Sequence, residues 1–246
     1  MTLKVCTRGQ RPEHEISVSK HLENSNNHPG KSLTRLVLDS FEITGPYGKH
    51  VCLTYQPLGM SFTEFRNSLP DNKFSKDLTQ TSIQLVLIAL AFLHDNHVVH
   101  TGEFILIYQQ VHSERRSQKS LDISSNNILQ GNMDSEVLCQ IEEDELKRPT
   151  PRKVLNDRYI YHSRPMPVCA SLPVVSDLGE ARIGKQKHRG DIMPGIYRAP
   201  EVILDMDWDC KVDIWSTGAM VSCLLGFLGR FGIRLTDYLG LGPRAR

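Results

Sequence analysis

The chain has 246 residues, 39% of them hydrophobic, which is enough for one large domain or two small ones and excludes a disordered chain. Twenty-nine Lys and Arg against 28 Asp and Glu leave a formal charge of +1, so no global field steers the chain toward nucleic acid or an acidic membrane surface. The six cysteines (Cys6, Cys52, Cys139, Cys169, Cys210, Cys223) form no C-x-x-C pair, which argues against a zinc cluster or a disulfide framework and suits the reducing cytoplasm or nucleus.

In chain order, Met1 to Glu15 carries charges throughout and has no apolar stretch of the secretory type. Met1 to Cys6 reads as a strand, and Pro12 to Glu23 as a helix packed on one side through Ile16, Val18 and Leu22. Leu33 to Ile43 and His50 to Tyr55 are β-rich runs separated by Thr44-Gly45-Pro46-Tyr47-Gly48, a hairpin composition. Gln56-Pro57-Leu58-Gly59 stops a strand and suits a hinge. Phe62 to Leu69 and Leu78 to Asn96 read as helices, the second with an apolar face of Ile83, Val86, Leu87, Leu90 and Leu93. Its greasiest part, Ile83 to Leu93, is short for a bilayer span and reads as a buried helix. From Gln140 to Leu172 the chain is polar, and a loop with one short helix is expected, its acidic run Glu142 to Glu145 solvated.

Four short strings occur in one order: Thr2-Leu3-Lys4 on a strand; Asp122-Ile123-Ser124-Ser125-Asn126-Asn127; Asp177-Leu178-Gly179-Glu180-Ala181-Arg182; and Ala199-Pro200-Glu201 followed by Asp213-Ile214-Trp215. Each is weak alone. By itself Lys4 would be a solvated lysine, Asp177-Leu178-Gly179 a turn, His100 a core histidine, and Glu15, on a helix with Glu13 and Glu23, a water-facing carboxylate. Together and in this order the strings resemble a eukaryotic protein kinase.

The resemblance implies an α+β, two-lobed protein-kinase-like fold, incomplete at both ends, with the glycine-rich loop and first strands outside the chain. It implies a partial N-lobe over 1–55, a hinge at 56–61, a partial helical C-lobe over 62–223 and an atypical tail over 224–246. Phosphoryl transfer asks for positioning and charge neutralisation. In the kinase pattern Asp122 orients the substrate hydroxyl, Asn127 and Asp177 hold Mg2+, Lys4 contacts the ATP phosphates, and Glu15 fixes Lys4. Gln56 and Leu58 stand at the hinge where the nucleotide sits. Asp213 should brace the catalytic loop with Trp215 packed nearby, and Tyr197 should be structural. His100-Thr101, the Asp-x-Gly-Glu-Ala-Arg form at 177–182, Asp191 to Pro194, Tyr197 to Leu204 and Pro57 to Ser61 are similar to SR-protein kinases, particularly the fungal type. That branch implies ATP-dependent phosphorylation of Ser or Thr in Arg/Ser-rich proteins, with neither direct nucleic-acid binding nor a membrane.

The chain departs from the pattern in several places. Thr101 replaces the usual catalytic-loop arginine, Ser124 a lysine, and no Ser or Thr lies between Glu180 and Arg198, so the activation segment is expected to be held by packing alone. Gly102 to Leu121 separate Thr101 from Asp122; without them the motif is continuous. Gly102-Glu103-Phe104 can be encoded GGT-GAG-TTC, which contains a splice-donor string, and the insertion is read as a retained intron. The same reading applies to Leu224 to Arg246. Two alternatives stand beside the kinase: a catalytically dead scaffold of the same fold, and a mis-spliced product without function.

Overall fold

The computed structural model describes residues 1–7, 11–25, 27–45, 48–102, 124–131, 134–155, 159–161, 164, 166–168, 171–193 and 197–226. The insertion from 103 onward, Asp122 with it, and the tail from 227 onward lie outside the described residues.

The first element, β1 (Thr2–Val5), leads to helix α1 (Pro12–Glu23), then to strands β2 (Asp39–Gly45) and β3 (Gly48–Tyr55). The strands form an antiparallel sheet in the order β1-β3-β2, and β2 and β3 close the expected hairpin at Gly45↔Gly48. Pairing of Thr2 with Tyr55 and of Lys4 with Leu53 decides which face each side chain takes. Lys4, Leu53 and Tyr55 share the inner face, where Leu53 and Tyr55 pack with Cys6, Val37 and Ile16. Leu3, Val5 and Phe41 take the outer, exposed face. In α1, Pro12 occupies the first turn, where its missing N–H is harmless, and Glu15, Val18, Ser19 and Leu22 form the buried stripe.

After a 3₁₀ turn (Pro29–Leu33) and the sheet, the chain becomes mainly helical. Helix α2 (Phe62–Ser68) starts on a capping box in which Ser61 and Glu64 bond reciprocally. Helix α3 (Lys76–Asp95), capped by Ser75, is the spine, and at 20 residues it is long and apolar enough to cross a bilayer by length and composition alone. Val86, Ala89, Leu90, Phe92 and Leu93 of α3 are instead buried in the main core, with Val18 and Leu22 of α1 among their companions. The expected face is corrected at Leu87, which is exposed. The buried stripe runs through Thr79, Ser82, Val86, Ala89 and Leu93, and Leu87 lies a full residue step round the helix from Val86.

Short two-stranded ladders carry the loops of interest. Strand β4 (Val98–Val99) pairs with β9 (Arg182–Ile183), and β5 (Ile128–Gln130) with β8 (Pro173–Val175). Between β5 and β8 the expected short helix is α4 (Ser135–Lys147), which starts before Gln140 and is 13 residues long, and the expected loop holds a hairpin of β6 (Arg152–Val154) and β7 (Tyr159–Tyr161). Asp134 caps α4 by accepting from Glu136 N–H, and Lys147 pairs with Glu143 one turn back. The acidic run is also only partly solvated, because Glu145 accepts from Thr150 N–H, Thr150 Oγ1 and Arg164 Nε. The Thr150 backbone bond and the Arg164 charge hold the Glu145 carboxyl below the usual carboxylate range. Helices α5 (Pro200–Ile203) and α6 (Lys211–Leu224) complete the described chain, α6 packing on α3 through Met220, Cys223 and Leu224.

Candidate active site

Lys4 emerges from β1 beneath the sheet and meets two carboxylates that are distant in sequence. Its Nζ donates to Glu15 Oε2 at 2.8 Å and to Asp177 Oδ1 at 3.4 Å. Glu15 is only 5% exposed, so the water-facing reading of that residue is excluded by its place on the buried stripe of α1. The sequence carries that signal: 15, 18, 19 and 22 follow the i, i+3, i+4, i+7 spacing of a buried helix face. Burial draws the Lys4 pKa down, but the Asp177 charge and the Glu15 hydrogen bond outweigh it and leave the ammonium above the ordinary lysine value.

Asp177 follows β8, and its position is set by the ladder to β5. Ser176 donates to the Asn127 carbonyl from both N–H (2.8 Å) and Oγ (3.0 Å), which ties the residue before Asp177 to the end of the 124–127 turn. Asp177 has φ +64°, the left-handed region that costs an L-residue roughly 1 kcal/mol or more. Its carboxylate is nearly half exposed and points toward Lys4. Asn127 is 7% exposed, and its amide nitrogen is buried with no hydrogen-bond partner. Gly179 leaves room beside this cluster; a Cβ there would stand 3.4 Å from Glu15 Oε2 and 3.5 Å from Asp177 Oδ1.

A second cluster holds the chain at 100–101. Asp213 of α6, 2% exposed, accepts from His100 N–H (2.8 Å), Thr101 N–H (3.0 Å) and His94 Nε2 (2.9 Å). The His100 ring uses both nitrogens, Nε2 donating to Ser176 O and Nδ1 accepting from Gly102 N–H, which defines the neutral tautomer. Thr101 has φ +60°, an outlier for a β-branched residue, and its hydroxyl donates to Glu180 O. Trp215 does not pack beside Asp213 as expected: it is 45% exposed. Tyr197 is fully buried, its hydroxyl on Cys223 Sγ.

The segment from Ala181 to Arg198 is held by more than packing, which corrects the expectation. The Arg198 guanidinium donates to Ile192 O, Met193 O and Asp191, Trp208 Nε1 donates to Gly190 O, and His188 exchanges backbone hydrogen bonds with Trp208. His14, beside Glu15, donates from Nε2 to Ala181 O at 2.7 Å and so joins α1 to this segment.

Neither residue of the expected hinge makes a side-chain contact with the Lys4 cluster among the bonds of the described residues. Gln56 and Leu58 follow β3 directly; Gln56 is exposed, its carbonyl accepting from Arg35, and Leu58 is buried. Sequence reasoning missed the residue before them, Tyr55, whose hydroxyl donates to Glu15 Oε1. Asp122 falls outside the described residues.

A strand lysine paired with a helix glutamate and facing an aspartate, within a mixed helix-and-sheet body, is a protein-kinase-like arrangement. No protein-family model matches the chain. A serine/threonine protein kinase of Aspergillus fumigatus is 37% identical over 228 residues, covering 90% of this chain and 50% of the relative. Serine/threonine-protein kinase SRPK of Physarum polycephalum is 28% identical over 191 residues, covering 75% of this chain and 43% of the relative. Dual specificity protein kinase CLK2 of Mus musculus is 26% identical over 211 residues, covering 84% of this chain and 33% of the relative. The chain is a homologue of serine/threonine protein kinases, in the branch that holds SRPK, CLK2 and AFC2 of Arabidopsis thaliana. It spans half, or less, of the length of these relatives.

Proposed function

We propose that this chain carries the ATP-dependent phosphoryl-transfer centre of a serine/threonine protein kinase acting on Arg/Ser-rich proteins. The observation that supports this most is the meeting of Lys4 Nζ with Glu15 and Asp177, 11 and 173 residues away. A cation 35% exposed, held between a buried and an open carboxylate, is poised to exchange the open one for a phosphate oxygen. Lys4 then takes the α- and β-phosphates while Glu15 keeps it in place, and Gln56 and Leu58 border the base.

Mg2+ prefers oxygen ligands such as carboxylates and amides, the chemistry that Asp177 and Asn127 carry. Asp177 offers a carboxylate, and the amide of Asn127 is buried with its nitrogen unpartnered, so it is not committed to holding the local fold together. These two residues would hold the ion, which supplies charge neutralisation of the phosphates. Asp122 is the proposed acceptor of a hydrogen bond from the substrate hydroxyl. The His100 and Asp213 contacts hold the backbone at 100–101.

The test is magnesium-dependent transfer of radiolabelled γ-phosphate to an Arg/Ser peptide, by this chain and by one lacking Gly102 to Leu121. Transfer by at least one form, lost by about a hundredfold or more in Lys4→Met, is the expected result. ATP binding with no transfer by either form would replace the kinase reading with the scaffold.

A further inference from the structure

The polar contacts behind Lys4 do not end at Glu15. Tyr55, the last residue of β3, is 5% exposed and donates its hydroxyl to Glu15 Oε1, whereas Lys4 takes Oε2 of the same carboxylate. Tyr55 pairs with Thr2, and Lys4 with Leu53, so Tyr55 and Lys4 are diagonal neighbours on one face of adjacent strands. On the ring face of Tyr55, the Arg35 guanidinium carbon lies 4.7 Å from the ring centroid, and Arg35 Nη2 donates to Gln56 O at 3.0 Å. Arg35 Nε is buried with no hydrogen-bond partner, so this stacked placement is kept despite an unmade bond.

A buried carboxylate anchored through one oxygen can turn about its last bonds. Anchored through both, its plane is fixed and the second oxygen faces one direction. We propose that Tyr55, braced by Arg35, is a positioning residue for the Lys4–Glu15 pair: its hydroxyl fixes the Glu15 carboxylate so that Oε2 is presented to Lys4. The inference deepens the kinase reading, on which its consequence for nucleotide binding rests. Phe at this position would keep the ring and the stack and leave Oε1 buried and unpaired.

The test uses the full chain and reads Lys4 directly, by the rate of its acylation with acetic anhydride at one fixed pH, followed by mass spectrometry. In Tyr55→Phe the Glu15 carboxylate is released at Oε1 and holds Lys4 less closely, and acylation is expected to accelerate about tenfold. If Tyr55 acts through Glu15, adding Tyr55→Phe to Glu15→Gln should change nothing further. Arg35→Leu should accelerate acylation by a smaller factor. A folded Tyr55→Phe chain with the unaltered rate, or a double variant whose factor is the product of the singles, overturns the assignment. Should Tyr55→Phe fail to fold, an unaltered rate in Arg35→Leu overturns it instead. Affinity for a fluorescent ATP analogue is expected to drop about tenfold in Tyr55→Phe. An unaltered chain that binds no ATP, with the acylation changes present in the variants, defeats the kinase reading and supports Tyr55 as the positioning residue.

Discussion

Asp213 and Asp177 are both aspartates beside the same loops, and they are used in opposite ways. Asp213 is buried and accepts three short hydrogen bonds, two of them from backbone N–H groups of His100 and Thr101. Asp177 is nearly half exposed, sits in a left-handed backbone conformation and receives one long contact from Lys4. A carboxylate whose lone pairs are taken up by the chain holds a fold. One kept open, on a strained backbone, is available to something that arrives.

The difference can be broken by exchanging the expected consequences of mutation. Asp213→Ala leaves buried donors unpaired and is expected to cost about 3–5 kcal/mol of stability, read by urea denaturation; a loss below about 1 kcal/mol would remove the distinction. Asp177→Asn should do the reverse. Its denaturation midpoint should stay close to that of the unaltered chain, while phosphoryl transfer in the Arg/Ser-peptide assay falls by about 10²–10³.

The Tyr55–Glu15 contact sharpens the same comparison through pH. Burial, and then the hydrogen bond and charge of Glu15, push the Tyr55 phenol well above its usual value. The folded chain therefore keeps this proton at a pH where the unfolded chain loses it, so stability is complete below the unfolded pKa of 10 and is lost as pH rises beyond it. Tyr55→Phe is expected to reduce the alkaline slope of stability by about 1.4 kcal/mol per pH unit above that point, measured by denaturation at stepped pH. An unchanged slope would contradict the buried phenol. The smallest effect belongs to Thr101→Val, which removes the hydroxyl bond to Glu180 O and should cost about 1 kcal/mol, again by denaturation.

Local structure was legible where local chemistry dictates it. Pro12 in the first turn and the spacing of Val18 and Leu22 mark α1, and Gly45 and Gly48 mark the hairpin. The bounds of α4, expected only as one short helix within 140–172, were not legible because none of its residues is buried: its signals are the Asp134 cap and the Gln140–Asp144 and Glu143–Lys147 pairs. Leu87 was misplaced because a wide apolar helix leaves its buried direction to the partner that covers it. At the site, Lys4, Asn127 and Asp177 were named from motif order. The Tyr55, His14 and Arg198 contacts were not, since each joins residues whose meeting depends on the folded sheet and loops rather than on any local pattern.

The proposed convergence of Lys4, Glu15, Asn127 and Asp177 on a metal-bound nucleotide is tested most directly by calorimetric ATP binding with and without Mg2+. Mg2+ is expected to raise the affinity of the unaltered chain by at least about tenfold, and to have no such effect in Asn127→Ala or Asp177→Asn. Affinity that is indifferent to Mg2+, or that keeps its full Mg2+ dependence in both variants, would contradict the site.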